Sequence, residues 1–186
     1  MVRRESLSTR VPEELDVEGL RVAVLVARFN EDITRELLAG ARACLQEAGV
    51  SADAVDVYFV PGAWELPQAA SRVLATGEYD ALVALGCVIR GETPHFDFIS
   101  AEAARGLGAV ARTSTIPVAF GVLTTDTVAQ ARERADRKGQ DKGREAALAA
   151  LEMVGVYRQI RHGSPGGGRS AGMASGRGES GSTDEA

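Results

Sequence analysis

Four short apolar, β-branched runs recur along the chain: Val22–Ala27, Val55–Val60, Ala81–Ile89 and Pro117–Leu123. Each is followed by a loop rich in Gly, Pro, Asn or Thr and then by a stretch of helical periodicity. The runs read as continuously apolar rather than alternating, which is the pattern of strands buried on both faces. Among the helical stretches, Ile33–Ala48 sets Leu37, Leu38, Ala41 and Leu45 on one face, and Leu66–Ala75, Asp97–Ala111 and Val128–Ala135 follow. A last helix is expected at about Lys142–Arg158, with Leu148, Leu151 and Val154 on one face. This alternation predicts right-handed βαβ units, hence a parallel sheet with helices on both faces. Ligands of such sheets bind outside the carboxyl ends of the strands, so the four loops after the runs are where chemistry is expected.

The ends of the chain read differently. Residues 163–186 hold eight Gly, five Ser and one Pro and no Val, Ile, Leu, Phe, Tyr or Trp, so they have little to bury against their ordering entropy. A disordered Gly/Ser-rich tail is expected over 162–186, an arm of unassigned order over 1–18, and one folded domain over 19–161. With 26 acidic and 21 basic side chains the net charge is −5, which argues against nucleic acid as a partner. The longest uncharged stretch, Thr113 to Thr125, is thirteen residues, short of the roughly 20 needed to span a bilayer, so no membrane span is expected. The start, MVRRESLSTR, leads into acidic sequence rather than an apolar block, so secretion is not expected. Cys44 and Cys87 stand apart from any CxxC or Cys/His cluster, and the expectation is a reduced cytoplasmic protein without structural zinc.

The loops carry the unusual residues. After the third run, Gly91 permits close backbone approach, and Thr93-Pro94 reads as a helix start with a hydroxyl cap. Free amides there would suit an anion, although an ordinary strand-to-helix turn has the same composition. His95 follows as the histidine of the folded region, a candidate proton shuttle or simply a hydrogen-bonding residue at a helix start. The second loop sets Trp64 beside Glu65, and Phe29 adds an aromatic at the first. Facing aromatics with a polar acceptor suit a flat heterocycle, and core packing is the alternative for both. In the fourth loop Thr127 and Gln130 have capping-box spacing, and Arg134 shares the helix face of Gln130. Arg132, Arg137 and Arg144 read as solvated surface. No GxGxxG, GxxxxGK[ST] or hydrolase elbow is present.

Four segments in order, Ala27–Asn30, Val60–Glu65, Leu85–Phe96 and Phe120–Thr125 with Gln130-Ala131 and Arg134-Ala135 downstream, closely resemble the lumazine synthases of riboflavin biosynthesis. The resemblance covers about Leu20 to Ile160. It implies a flavodoxin-like three-layer αβα fold with a four-stranded parallel sheet. It also implies condensation of 5-amino-6-(D-ribitylamino)uracil with 3,4-dihydroxy-2-butanone 4-phosphate, without cofactor or metal. On this resemblance Phe29 stacks on the pyrimidine, Ala63, Trp64 and Glu65 hold the ribityl chain, and Cys87, Val88 and Ile89 contact the ring edge. The backbone around Gly91, Glu92 and Thr93 holds the phosphate, and His95 transfers protons. Phe120, Arg134 and Lys142 come from the adjacent subunit, Arg134 to the phosphate. Trp64 stands where many relatives have Phe.

The implied partners are the two small-molecule substrates and further copies of the chain, as a pentamer or an icosahedral shell of pentamers, with riboflavin synthase a candidate. The uninterrupted connection Asp136–Gly143 is compatible with the shell. Two other functions compete. A non-catalytic flavin- or lumazine-binding shell protein would need neither a phosphate clamp at Arg134 nor a proton shuttle at His95. A flavodoxin-like electron carrier would need a phosphate-cradling loop where Arg28-Phe29-Asn30 stands.

Overall fold

A computed structural model describes residue 11 and residues 15–161. The rest of the expected arm (1–10 and 12–14) and the expected tail, 162–186, lie outside the described residues. The chain runs β1 (Val22–Ala27), α1 (Glu31–Glu47), β2 (Val55–Val60), α2 (Leu66–Thr76), β3 (Ala81–Ile89), α3 (His95–Thr113), β4 (Val118–Thr125), α4 (Val128–Ala135) and α5 (Lys142–Arg161). All strand pairs are parallel, in the order β2-β1-β3-β4, giving a three-layer, flavodoxin-like fold.

The two central strands explain the continuous apolar runs. Val22, Val24 and Val26 of β1 face a core shared with α1, α4 and α5, whereas Ala23, Leu25 and Ala27 face Leu66, Ala70, Ala103 and Leu107 of α2 and α3. A strand with a helix layer on each side needs an apolar residue at every position. The edge strands depart from that expectation. Tyr58 and Phe59 on β2 and Phe120 on β4 are well exposed, because each edge strand has only one neighbour and incomplete cover. Asp56 on β2 pairs with Arg21 at 2.8 Å and accepts from the Tyr79 hydroxyl at 3.0 Å, placing a satisfied charge on a sheet edge.

Local signals decide where the helices start and how they pack. At α4, Thr127 Oγ1 accepts from the Gln130 N–H at 3.2 Å, and Gln130 Oε1 in turn accepts from the Asp126 N–H at 3.0 Å, one residue earlier than a standard capping box. At α3 the expected hydroxyl cap is absent: the helix begins at His95, two residues before the expected Asp97, with Pro94 rather than Thr93 at the cap position, so Thr93 makes no side-chain cap hydrogen bond. Where α5 crosses α1, Gly143 sits against the Leu37 backbone. Arg144, expected as solvated surface, pairs instead with Glu47 at 2.7 Å, its side chain only 18% exposed beside that crossing. Of the expected arm, Val11, Leu15 and Val17 pack against the core, and Arg158 donates to the Asp16 carbonyl and carboxylate at 2.8 and 2.7 Å. No helix among the described residues is long and apolar enough to cross a membrane.

Candidate active site

The chain leaves β1 for opposite sides of the sheet, β2 on one and β3 on the other, so a crevice opens above their carboxyl ends. A cavity of about 430 Å³ occupies it, lined from three loops and the first turns of α3. Two cavities of similar volume lie elsewhere. One, at the far ends of α2 and α3, has no charged lining residue, and the other, between α1 and α4, has four carboxylates and one arginine but no aromatic. Of these three, among the described residues, the crevice alone combines aromatic surface, a carboxylate, an imidazole and strand-end backbone.

Backbone hydrogen bonds hold its first two loops together. The Arg28 N–H donates to the Val60 carbonyl at 2.8 Å and the Phe29 N–H to the Pro61 carbonyl at 3.1 Å, prolonging the β1–β2 ladder beyond the strands. Asn30 then turns the chain into α1 in the left-handed region (φ 59°, ψ 49°), which Asn tolerates better than most residues. Its Nδ2 donates to the Cys87 carbonyl at 3.0 Å and so pins this turn to β3. The result presents Phe29 to the crevice at 71% exposure, with Trp64 at 56%, which rules out core packing for both. In the second loop Glu65 Oε2 accepts from the Gly62 N–H at 2.8 Å, fixing the carboxylate at the cavity wall.

The third loop completes the lining. The Gly91, Glu92 and Thr93 amides make no hydrogen bond among the described residues, and these residues are exposed. A Cβ at Gly91 would meet nothing within 4 Å, so packing within the chain does not call for glycine there. His95, the first residue of α3, lines the cavity and is exposed.

Of the residues expected at the site, Phe29, Ala63, Trp64, Glu65, Cys87, Val88, Ile89, Gly91, Thr93 and His95 line this one cavity. Glu92 is exposed beside it. Phe120 on β4, Arg134 on α4 and Lys142 at the start of α5 do not line it. Arg134 donates to the Gln130 carbonyl at 3.2 Å, and Lys142 pairs with Glu145. Pro61, Gly62, Phe96 and Ile99 also line the cavity without having been singled out for a role. The helical spacing of His95 and Ile99, four apart, was the available signal for the last of them.

Burial pushes the Cys87 thiol from 9.0 up to about 12, and the Cys44 thiol up to about 11. A raised folded-state value means that this contribution to stability is intact below about pH 9 and is lost as pH climbs through 11 to 12. Both thiols are expected to resist Ellman's reagent at pH 8 in the folded chain and to react once it is unfolded in guanidinium. Reaction of either thiol in the native state would contradict their burial.

A family model for 6,7-dimethyl-8-ribityllumazine synthase matches residues 19–158, most of the chain and every loop that forms the cavity. The chain therefore belongs to the 6,7-dimethyl-8-ribityllumazine synthase family, transferases of riboflavin biosynthesis.

Proposed function

We propose that the chain condenses 5-amino-6-(D-ribitylamino)uracil with 3,4-dihydroxy-2-butanone 4-phosphate to give 6,7-dimethyl-8-ribityllumazine, phosphate and water. The observation that carries this reading is the lining of one cavity. The first two loops line it with the exposed aromatics Phe29 and Trp64 and the Glu65 carboxylate, and the third loop lines it with Gly91, Thr93 and His95, whose neighbouring loop amides have no partner among the described residues. The flat pyrimidine stacks on Phe29, its ribityl chain lies along Ala63 to Glu65, and Cys87, Val88 and Ile89 border the ring edge. The phosphate of the second substrate takes the amides of Gly91, Glu92 and Thr93, where the missing Cβ of Gly91 leaves room for close approach.

In this arrangement the pyrimidine amine attacks the ketone and loses water to form an imine. A proton then leaves carbon, phosphate departs by elimination, and the ribitylamino nitrogen closes the ring on the newly exposed carbonyl with loss of a second water. His95 moves protons in these steps, and the loop amides stabilise charge on the leaving phosphate. The remaining acceleration comes from holding two substrates in reacting geometry.

Members of the family act on small molecules and assemble as oligomers. Phe120, Arg134 and Lys142 lie outside this chain's cavity, and in the proposed assembly they complete the neighbour's, Arg134 clamping the phosphate. A pentamer, alone or as the unit of an icosahedral shell, supplies that geometry, and the two buried free thiols suit a cytoplasmic setting.

Trp64 is the chain's single tryptophan, so its emission reports directly on the cavity. Titration with the ribitylaminopyrimidine should quench it, and Phe29→Ala should weaken binding by about tenfold, a stacking loss of roughly 1–1.5 kcal/mol. An unresponsive Trp64, with binding intact by calorimetry, would place the pyrimidine elsewhere. His95→Ala should slow turnover by about 10²-fold or less, since a positioned acid/base supplies about 10²–10⁴ and water can replace part of it. An unaltered rate at saturating substrates would remove His95 from the mechanism.

A further inference from the structure

Arg90 directly follows β3 and opens the loop that carries Gly91, Thr93 and His95. Its guanidinium joins two segments that the sequence separates. Nε donates to Asp126 Oδ1 in the loop after β4 at 2.9 Å. Nη1 reaches both carboxylate oxygens of Asp97, in the first turn of α3, at 3.1 and 3.3 Å. The guanidinium carbon also lies 4.1 Å from the centre of the Phe96 ring, next to His95. The Arg90 N–H continues the sheet by donating to the Thr125 carbonyl at 2.9 Å. Asp126 is itself tied to α4, because its N–H donates to Gln130 Oε1.

The stretch between these anchors, Gly91 to Pro94, is exposed, and its three N–H groups have no partner among the described residues. It is therefore held at its ends rather than along its length. A planar guanidinium presents its donors in a fixed fork, so one side chain can hold two carboxylates and an aromatic face in a set orientation. We propose that Arg90 is a positioning residue for the condensation: by bridging Asp97 and Asp126 it fixes the start of α3, and with it His95 and the loop amides, against the strand ends that hold the pyrimidine. The inference rests on the reading of the third loop as the place of the phosphorylated substrate.

Side-chain exposure is 44% for Arg90, 60% for Asp97 and 69% for Asp126, so these pairs contribute little to global stability. Misplacing a reacting group by about 1 Å can cost 10²-fold in rate, so the same contacts can matter greatly to turnover. That contrast makes the proposal separable from a merely structural role.

The test compares Arg90→Gln, Arg90→Lys and Asp126→Asn with the unaltered full-length chain. Arg90→Gln should lower kcat/KM by about 10- to 100-fold, raise KM for the phosphorylated substrate, leave KM for the pyrimidine unchanged and barely move the thermal midpoint. Arg90→Lys keeps the charge but not the fork and should restore part of the loss, and Asp126→Asn should reproduce part of it. Hydrogen exchange at residues 95–99 should quicken in Arg90→Gln whether or not substrate is present. Unchanged exchange and kinetics in Arg90→Gln would overturn the proposal, as would equal effects on both KM values with a lowered midpoint. An unaltered chain that forms no lumazine would instead sink the functional reading, while the exchange result would still decide whether Arg90 orders the loop.

Discussion

Gly143→Ala is expected to lower the thermal midpoint by about 8–16 °C or to prevent folding, the largest stability change for so small a substitution in this chain. A Cβ there would sit 2.7 Å from the Leu37 carbonyl carbon and 2.8 Å from its Cα, and closer still to its carbonyl oxygen. Those atoms are backbone in the middle of α1, so no rotamer change relieves the clash. Relief requires α5 to move away from α1, opening the core that Leu37, Ala41, Ala147 and Leu151 fill between them. The cost should be about 4 kcal/mol or more. Gly155, on the same helix, is the contrast: a Cβ there meets nothing within 4 Å, and Gly155→Ala should be neutral or stabilise by up to about 1 kcal/mol through helix propensity. Melting curves at one fixed protein concentration read both. A Gly143→Ala protein melting with the unaltered one would mean that the α1–α5 crossing is looser than described.

The second large effect concerns shared sites. Arg134→Ala should be nearly inactive because the phosphate loses its charged clamp, and His95→Ala combined with Phe29→Ala should be nearly inactive because stacking and proton transfer go together. Co-refolded in equal amounts, the two should recover activity. In a heterologous ring each chain gives one surface and receives another, so random mixing leaves about a quarter of the sites with an intact pocket beside an intact Arg134. The position of Arg134 on α4, outside the cavity its own chain forms, motivates the test. Demonstrably mixed rings without recovered activity would mean that each site is built within a single chain.

The strands were legible because each is a compact apolar run: β1, β2 and β3 have the bounds their composition predicts, and β4 starts one residue later and runs two residues further. What composition could not tell was which strands lie at the edges. Asp56 and Tyr58 hinted at it for β2, but edge position depends on strand order, which follows from packing between distant segments. The cavity was legible because the alternation of strands and helices predicts a parallel sheet, and parallel strands bring the loops after their carboxyl ends to one edge. Asn30, Arg90 and Gly143 were not legible in their roles. Asn30 acts through a carbonyl 57 residues away, Arg90 through a carboxylate 36 residues away, and Gly143 through a backbone on another helix. Arg144 was misread for a related reason: its partner Glu47 is 97 residues away, and only the general tendency of helix arginines to be solvated placed it at the surface. Pairings of that separation are invisible to periodicity, which sees only neighbours within a few residues.

The central claim is that this cavity joins a ribitylaminopyrimidine to a phosphorylated four-carbon ketone. The most direct measurement incubates the purified full-length chain with both compounds and follows lumazine fluorescence and free phosphate together, against controls lacking one substrate or the protein. Fluorescent lumazine should form with one phosphate released for each lumazine, faster than the protein-free reaction, and the gain should shrink in His95→Ala. Binding of the pyrimidine at Trp64 with no lumazine above the protein-free rate would contradict the account and leave a binding protein in place of an enzyme.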